Sequence, residues 1–134
     1  MVTSFIENNG RILLLRRSEF VGTYQGLWAG VSGYLERDEE PRERAEKEIE
    51  EEVGMRKLKL LAVGQRVVSR NKNRFWIVHP FLFHASSGEV KLDWEHTEYK
   101  WVYPQEIGEF ETVPRLSKTF QAVVHAMPHS RKKR

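Results

Sequence analysis

Gly33-Tyr34-Leu35-Glu36-Arg37-Asp38-Glu39-Glu40-Pro41-Arg42-Glu43-Arg44-Ala45-Glu46-Lys47-Glu48-Ile49-Glu50-Glu51-Glu52-Val53-Gly54-Met55 reads as a short loop, a helix and a stop. Pro41 suits the first helical turn, where its missing N–H is no loss. Asp38, Glu39 and Glu40 precede or open that turn and complement the positive end of the helix dipole. Gly54 is a natural residue for the far end. At 100° per residue, Glu48, Glu51 and Glu52 fall on one side of the helix. Ala45, Ile49 and Val53 form an adjacent apolar stripe that can face a core. Like charges at offsets of three and four repel by roughly 0.2–0.5 kcal/mol per exposed pair. Only Arg44, one turn before Glu48, and Lys47 stand near enough to relieve them. A hard divalent cation such as Mg²⁺, which takes carboxylate and phosphate oxygens, would remove the conflict. The plain alternative is a solvated acidic face.

Charge is uneven beyond this stretch. The chain has 134 residues and a formal net charge of +3. Residues 36–52 hold ten acids and four bases, a local charge of −6, so the remainder sums to +9. An acidic patch in a basic body suits cation-binding acids ringed by phosphate-binding bases. A pI near 9.3 also permits RNA binding. The length and a 40% hydrophobic content suit one core, expected over residues 1–128. Residues 129–134 form a basic tail, expected to be disordered. There is no cysteine, which excludes a disulfide framework and a thiolate metal site. No signal peptide or membrane-length apolar run is visible, so the expected compartment is the cytoplasm, with no membrane partner.

Outward from the central helix, the periodicity predicts strands and a closing helix. Val2–Glu7 and Arg11–Arg17 flank the turn signal Asn8-Asn9-Gly10. Ser18–Gly26 is a loop that can border a pocket, and Trp28 is open to stacking on a base or to burial in the core. Lys57–Val68 reads as one long strand bent at Gly64, and Asn71-Lys72-Asn73 as a hairpin turn into the strand Arg74–His84. His79 and His84 read as strand residues. Val90–Leu92 reads as a short strand, and Asp93–Val102 as an acidic loop entering another. Pro104 opens a helical turn. The closing helix, from Pro114 to Ala126, should turn Leu116, Phe120, Val123 and Val124 inward. This order predicts an α+β domain with helices packed on a mixed sheet.

The central stretch resembles the box of the Nudix hydrolase (MutT-like) family: Gly, five residues, Glu, seven residues, then Arg-Glu-apolar-any-Glu-Glu-any-Gly-apolar. Gly33, Glu39, Glu48, Ile49, Glu51, Glu52, Gly54 and Met55 match, and Lys47 stands where the family has Arg. Lysine keeps the charge but loses the planar fork that grips a carboxylate. The resemblance spans nearly the whole chain and implies an α/β/α sandwich. It implies an enzyme that hydrolyses nucleoside diphosphate derivatives with Mg²⁺, Mn²⁺ being a possible substitute. It makes Glu48, Glu51, Glu52 and the Ser32 carbonyl the metal ligands, and Gly33, Glu39, Lys47 and Gly54 structural members of the box. It makes Arg17, with Arg16 behind it, the phosphate contact, and Glu95, with Glu98 as alternate, a further acid. Either Glu52 or Glu95 would be the general base. Markers of the ADP-ribose, diadenosine polyphosphate and coenzyme A subfamilies are missing, which leaves a nucleoside triphosphate as the leading substrate. An RNA 5′-end pyrophosphohydrolase, a sugar-nucleotide hydrolase and a catalytically weak nucleotide-binding module remain alternatives. Assembly into a homodimer is also in keeping with the family.

Overall fold

The computed structural model describes residues 1–127, so the basic tail expected at 129–134 lies outside the described residues. Strands β1 (Val2–Asn8) and β2 (Arg11–Arg17) form the expected hairpin, its turn made by Asn9 and Gly10 with positive φ. Two short strands follow, β3 (Trp28–Ala29) and β4 (Val31–Gly33). Helix α1 spans Pro41–Val53. Next come β5 (Lys59–Val63), β6 (Val67–Asn71), β7 (Arg74–His84) and β8 (His96–Val102). A 3-10 turn (Pro104–Glu109) leads to helix α2 (Leu116–Ala126).

The sheet is mixed. Its central path runs β3-β2-β1-β7-β5, with β1 and β7 parallel and the other pairings antiparallel. Side chains alternate across a strand, so each central strand feeds two cores. Leu13 and Leu15 of β2 join Val2, Ile6, Phe83 and the α1 stripe Ala45, Ile49 and Val53. Ile12 and Leu14 join Phe5, Leu82 and the α2 residues Leu116, Phe120 and Val123 on the other side. The expected sandwich is therefore present, with one helix on each face of the sheet.

Three local expectations are corrected. Residues 57–68 are not one strand, because the chain leaves β5 at Gly64 and re-enters the sheet as β6. A Cβ at Gly64 would sit 2.8 Å from the Ala122 carbonyl carbon, so α2 lies directly on that break. Val90–Leu92 is not a strand. Val90 and Leu92 pack against the α1-side core, and the Lys91 N–H bonds the Val53 carbonyl at 3.0 Å, closing the end of α1. Val124 faces outward and is 39% exposed.

Candidate active site

Helix α1 forms as its sequence requires. Pro41 occupies the first turn, and the Glu40 N–H donates to Glu43 Oε1 at 3.3 Å, one half of a capping box. Gly54 closes the helix with φ 74°, its N–H bonding the Glu50 carbonyl at 3.0 Å. The apolar stripe pins α1 to the sheet, and that contact aims the glutamates towards β4 and the loop before β8.

Two anchors hold the acidic face in place. Glu39 receives the Glu36 N–H at 2.8 Å and a two-pronged contact from Arg44, Nε at 2.9 Å and Nη2 at 2.8 Å. Arg44 Nη1 also reaches Glu48 at 2.9 Å, and Lys47 Nζ reaches Glu39 at 3.1 Å. The planar fork missing at Lys47 is thus present at Arg44. Bonding to Arg44 leads the causes that hold the Glu39 carboxyl down at about 2. The second anchor is Gly33, where any Cβ would overlap the Glu48 carboxyl. Glycine at this place is what lets that side chain lie against β4.

Beneath Glu48 lies Glu52, with 2% of its side chain exposed and its Oε2 without a hydrogen-bond partner. Burial pushes its pKa up to about 11, reinforced by the adjacent Glu48 carboxyl and the charges of Glu95 and Asp93. Glu95 is also raised, first by burial and then by Asp93 and Glu48, against a lowering by Arg17. Four acids from α1 and the β8 approach therefore share one electrostatic neighbourhood.

His96 was not singled out by sequence reasoning, yet it completes this group. Its side chain is 2% exposed, with Nδ1 3.1 Å from Asp93 Oδ1 and Nε2 3.7 Å from Glu52 Oε1. Burial lowers its pKa, so the ring favours the neutral form despite Asp93. The Asp-x-x-His spacing inside the acidic loop was the available signal.

The site opens into a cleft of about 700 Å³ whose lining includes Arg17, Ser32, Gly33, Glu48, Trp94 and Glu95. Arg17 is held by the Thr23 carbonyl at 3.0 Å. Arg16 points to the opposite side of β2 and bonds Glu98 at 2.9 Å, so neither Arg16 nor Glu98 lines the cleft. Trp28 is also outside the lining. It is 8% exposed and packs edge-to-face on Phe110, the core placement of the two that the sequence left open. The exposed aromatic rings at the cleft are Phe20, Tyr24, Tyr34 and Trp94. Glu51 is exposed and lies outside the lining, close enough to raise Glu95.

Among the described residues, no three His, Asp or Glu side chains are gathered into a preset metal cage. Glu48 Oε2 accepts from Arg44 Nη1 at 2.9 Å. The donor set still suits a hard divalent cation. It offers carboxylate oxygens and a strand carbonyl, and the orphaned Glu52 Oε2 lacks the partner that burial demands.

Comparison with known proteins agrees with this architecture. Residues 1–123 match the family profile described as NUDIX domain. An RNA pyrophosphohydrolase of Mesorhizobium japonicum is 30% identical over 84% of this chain and 76% of its own length. A CTP pyrophosphohydrolase of Escherichia coli is 29% identical over 96% and 95% of the two chains. The crystal structure of a MutT protein from Methanosarcina mazei superposes with a TM-score of 0.76 at 30% identity, covering 98% of this chain and 94% of the other. With the box in place on α1 and the profile covering nearly the whole length, the chain belongs to the Nudix hydrolase family.

Proposed function

We propose that this chain is a divalent-metal-dependent pyrophosphohydrolase of the cytoplasmic nucleotide pool, splitting a nucleoside triphosphate into a monophosphate and pyrophosphate. The observation that carries the reading is the buried Glu52 carboxyl, orphaned at one oxygen and crowded by Glu48, Glu95 and Asp93. The ionised form of such a group is unstable alone and would be satisfied by a cation. Glu48, Glu51, Glu52 and the Ser32 carbonyl would hold Mg²⁺, or Mn²⁺ in its place. What the bound ion supplies is neutralisation of the phosphate charge and Lewis-acid polarisation at phosphorus.

The remaining work falls to the chain's own side chains. Arg17 donates to the phosphate oxygens from the cleft wall. Glu95, rather than the deeper Glu52, accepts the proton of the attacking water, since it lines the cleft and its raised pKa suits a base. Water oxygen bonds to the α-phosphorus, the bond from that phosphorus to the α–β bridging oxygen breaks, pyrophosphate leaves with that oxygen, and the water proton passes to a Glu95 oxygen. His96, against both Asp93 and Glu52, keeps the Glu52 carboxyl in place. Phe20, Tyr34 and Trp94 offer ring faces to the base. Support for a triphosphate comes from the CTP pyrophosphohydrolase relative, which aligns over nearly its full length.

The test is pyrophosphate release from a panel of nucleoside triphosphates and 8-oxo-dGTP, with AMP release from ADP-ribose as the comparison, each with and without Mg²⁺. Release from a triphosphate that is abolished by chelation supports the reading. Metal-independent release, or none from any nucleotide, overturns it.

A further inference from the structure

From Val53 to Gly88 the chain contains no Asp or Glu and seven Lys or Arg. Four of these cations, Arg66, Arg70, Lys72 and Arg74, lie on or beside the β6–β7 hairpin, and all four are exposed. Among the described residues none of the four has a carboxylate partner within ion-pair distance. Arg44 and Lys47 on α1, by contrast, are tied to Glu39.

The hairpin also carries apolar rings in the open. Strand alternation gives it two faces. Arg74, Trp76 and Val78 line the cleft. The opposite face carries Arg70 paired with Phe75, and Val68 paired with Ile77. Phe75 is 64% exposed, Val68 45% and Ile77 37%. Cations therefore lead out of the cleft at Arg74, round the tip at Lys72 and on to Arg70 beside an open ring.

We propose that the β6–β7 hairpin binds single-stranded nucleic acid, leading the strand away from the cleft while its 5′-triphosphate occupies the carboxylate site. The placement of the triphosphate rests on the pyrophosphohydrolase reading; the hairpin surface does not. Unpaired cations beside a ring face are the elements that hold a single strand, by phosphate contact and base stacking. A second copy of this chain fits the patch poorly. A two-fold contact would set these cations against their own equivalents, with no acid in the segment to offset them. A flat membrane would not follow a cation row that turns from the cleft to the outer face.

The test uses the whole chain and a 3′-labelled 12-nucleotide RNA with a 5′-hydroxyl, followed by fluorescence anisotropy across a salt series. Pyrophosphate release from CTP and from the same RNA with a 5′-triphosphate runs in parallel. The variants are the pair Arg70→Glu with Lys72→Glu, neither of which lines the cleft, and Phe75→Ala. The charge reversal is expected to weaken RNA binding at least about tenfold and to flatten the salt slope by about 1.4, the effect of two phosphate contacts. Phe75→Ala is expected to weaken it about tenfold. CTP release should not change in either variant. RNA binding equal in wild type and variants overturns the proposal. So does binding to phosphatidylserine vesicles without binding to RNA, or a Phe75 effect that appears only as loss of a dimer in sedimentation. CTP release with hairpin-independent RNA binding removes this proposal and keeps the pyrophosphohydrolase. Hairpin-dependent RNA binding without release from any triphosphate does the reverse.

Discussion

At Glu52 a carboxylic acid sits under 2% side-chain exposure beside three other acids, and its proton is held to about pH 11. In an unfolded chain the same group ionises near 4.5. Its contribution to stability is therefore fully present below pH 4.5 and is lost progressively as pH rises towards 11. Glu52→Gln carries no such penalty. In metal-free protein at pH 7 this variant should melt roughly 5 °C higher than wild type, with the gap widening from pH 5 to 8. Its turnover should fall by about a thousandfold or more, because a neutral amide cannot replace the buried charge that a cation needs. Calorimetry across pH and pyrophosphate release check the two halves separately. His96→Ala should weaken Mn²⁺ binding by about 10- to 100-fold in titration calorimetry, through loss of the group that positions Glu52. A lower melting temperature with unchanged Mn²⁺ affinity would make His96 structural only. Glu48, Glu51, Glu52 and Glu95 were legible as residues because an acidic helix face and an acidic loop stand out along the chain. That Glu52 is the buried one was not legible, since burial depends on how far α1 is rolled against the sheet.

Helix α1 works as a unit with the loop before it, through the contacts of Arg44 with Glu39 and Glu48. Arg44→Lys keeps the charge and loses the fork, and should lower turnover about a hundredfold by letting the glutamates drift. Lys47→Arg should leave turnover within a few-fold of wild type, because Lys47 is 58% exposed and makes a single contact. The same clamp gives a pH signature. Glu39 is held down at about 2, so its contribution is complete above 4.5 and disappears as pH falls towards 2. Wild type should therefore melt above Glu39→Gln at pH 6, and the two curves should converge in acid. Arg44 was visible in the sequence one turn before Glu48, but its second partner was not. Glu39 lies in a loop whose path back to the helix is a property of the folded chain. The break between β5 and β6 is similar. Gly64 hinted at a bend, and the approach of α2 made it a separation. Gly64→Ala should destabilise by about 2 kcal/mol through overpacking, measured by urea unfolding.

Across the whole molecule, the helices pack on opposite faces of one mixed sheet, and the acidic site opens into a cleft on that scaffold. Mg²⁺ at a hundred times its dissociation constant should stabilise wild type by about 2.7 kcal/mol and Glu52→Gln by much less, which thermal melts with and without the ion will show. None of the described helices is long and apolar enough to cross a membrane. Amino-acid order alone determined the α+β class, the bounds of α1 and the identity of the box. These depend on local signals: period 3.6 against period 2, a proline at one helix end and a glycine at the other. Only the tertiary structure decided that Trp28 belongs to the core, that Arg17 and not Arg16 faces the cleft, and that His96 stands against Glu52. Those outcomes turn on which side of a strand meets a helix far along the chain, a relation that contact between distant segments creates and neighbouring residues do not encode.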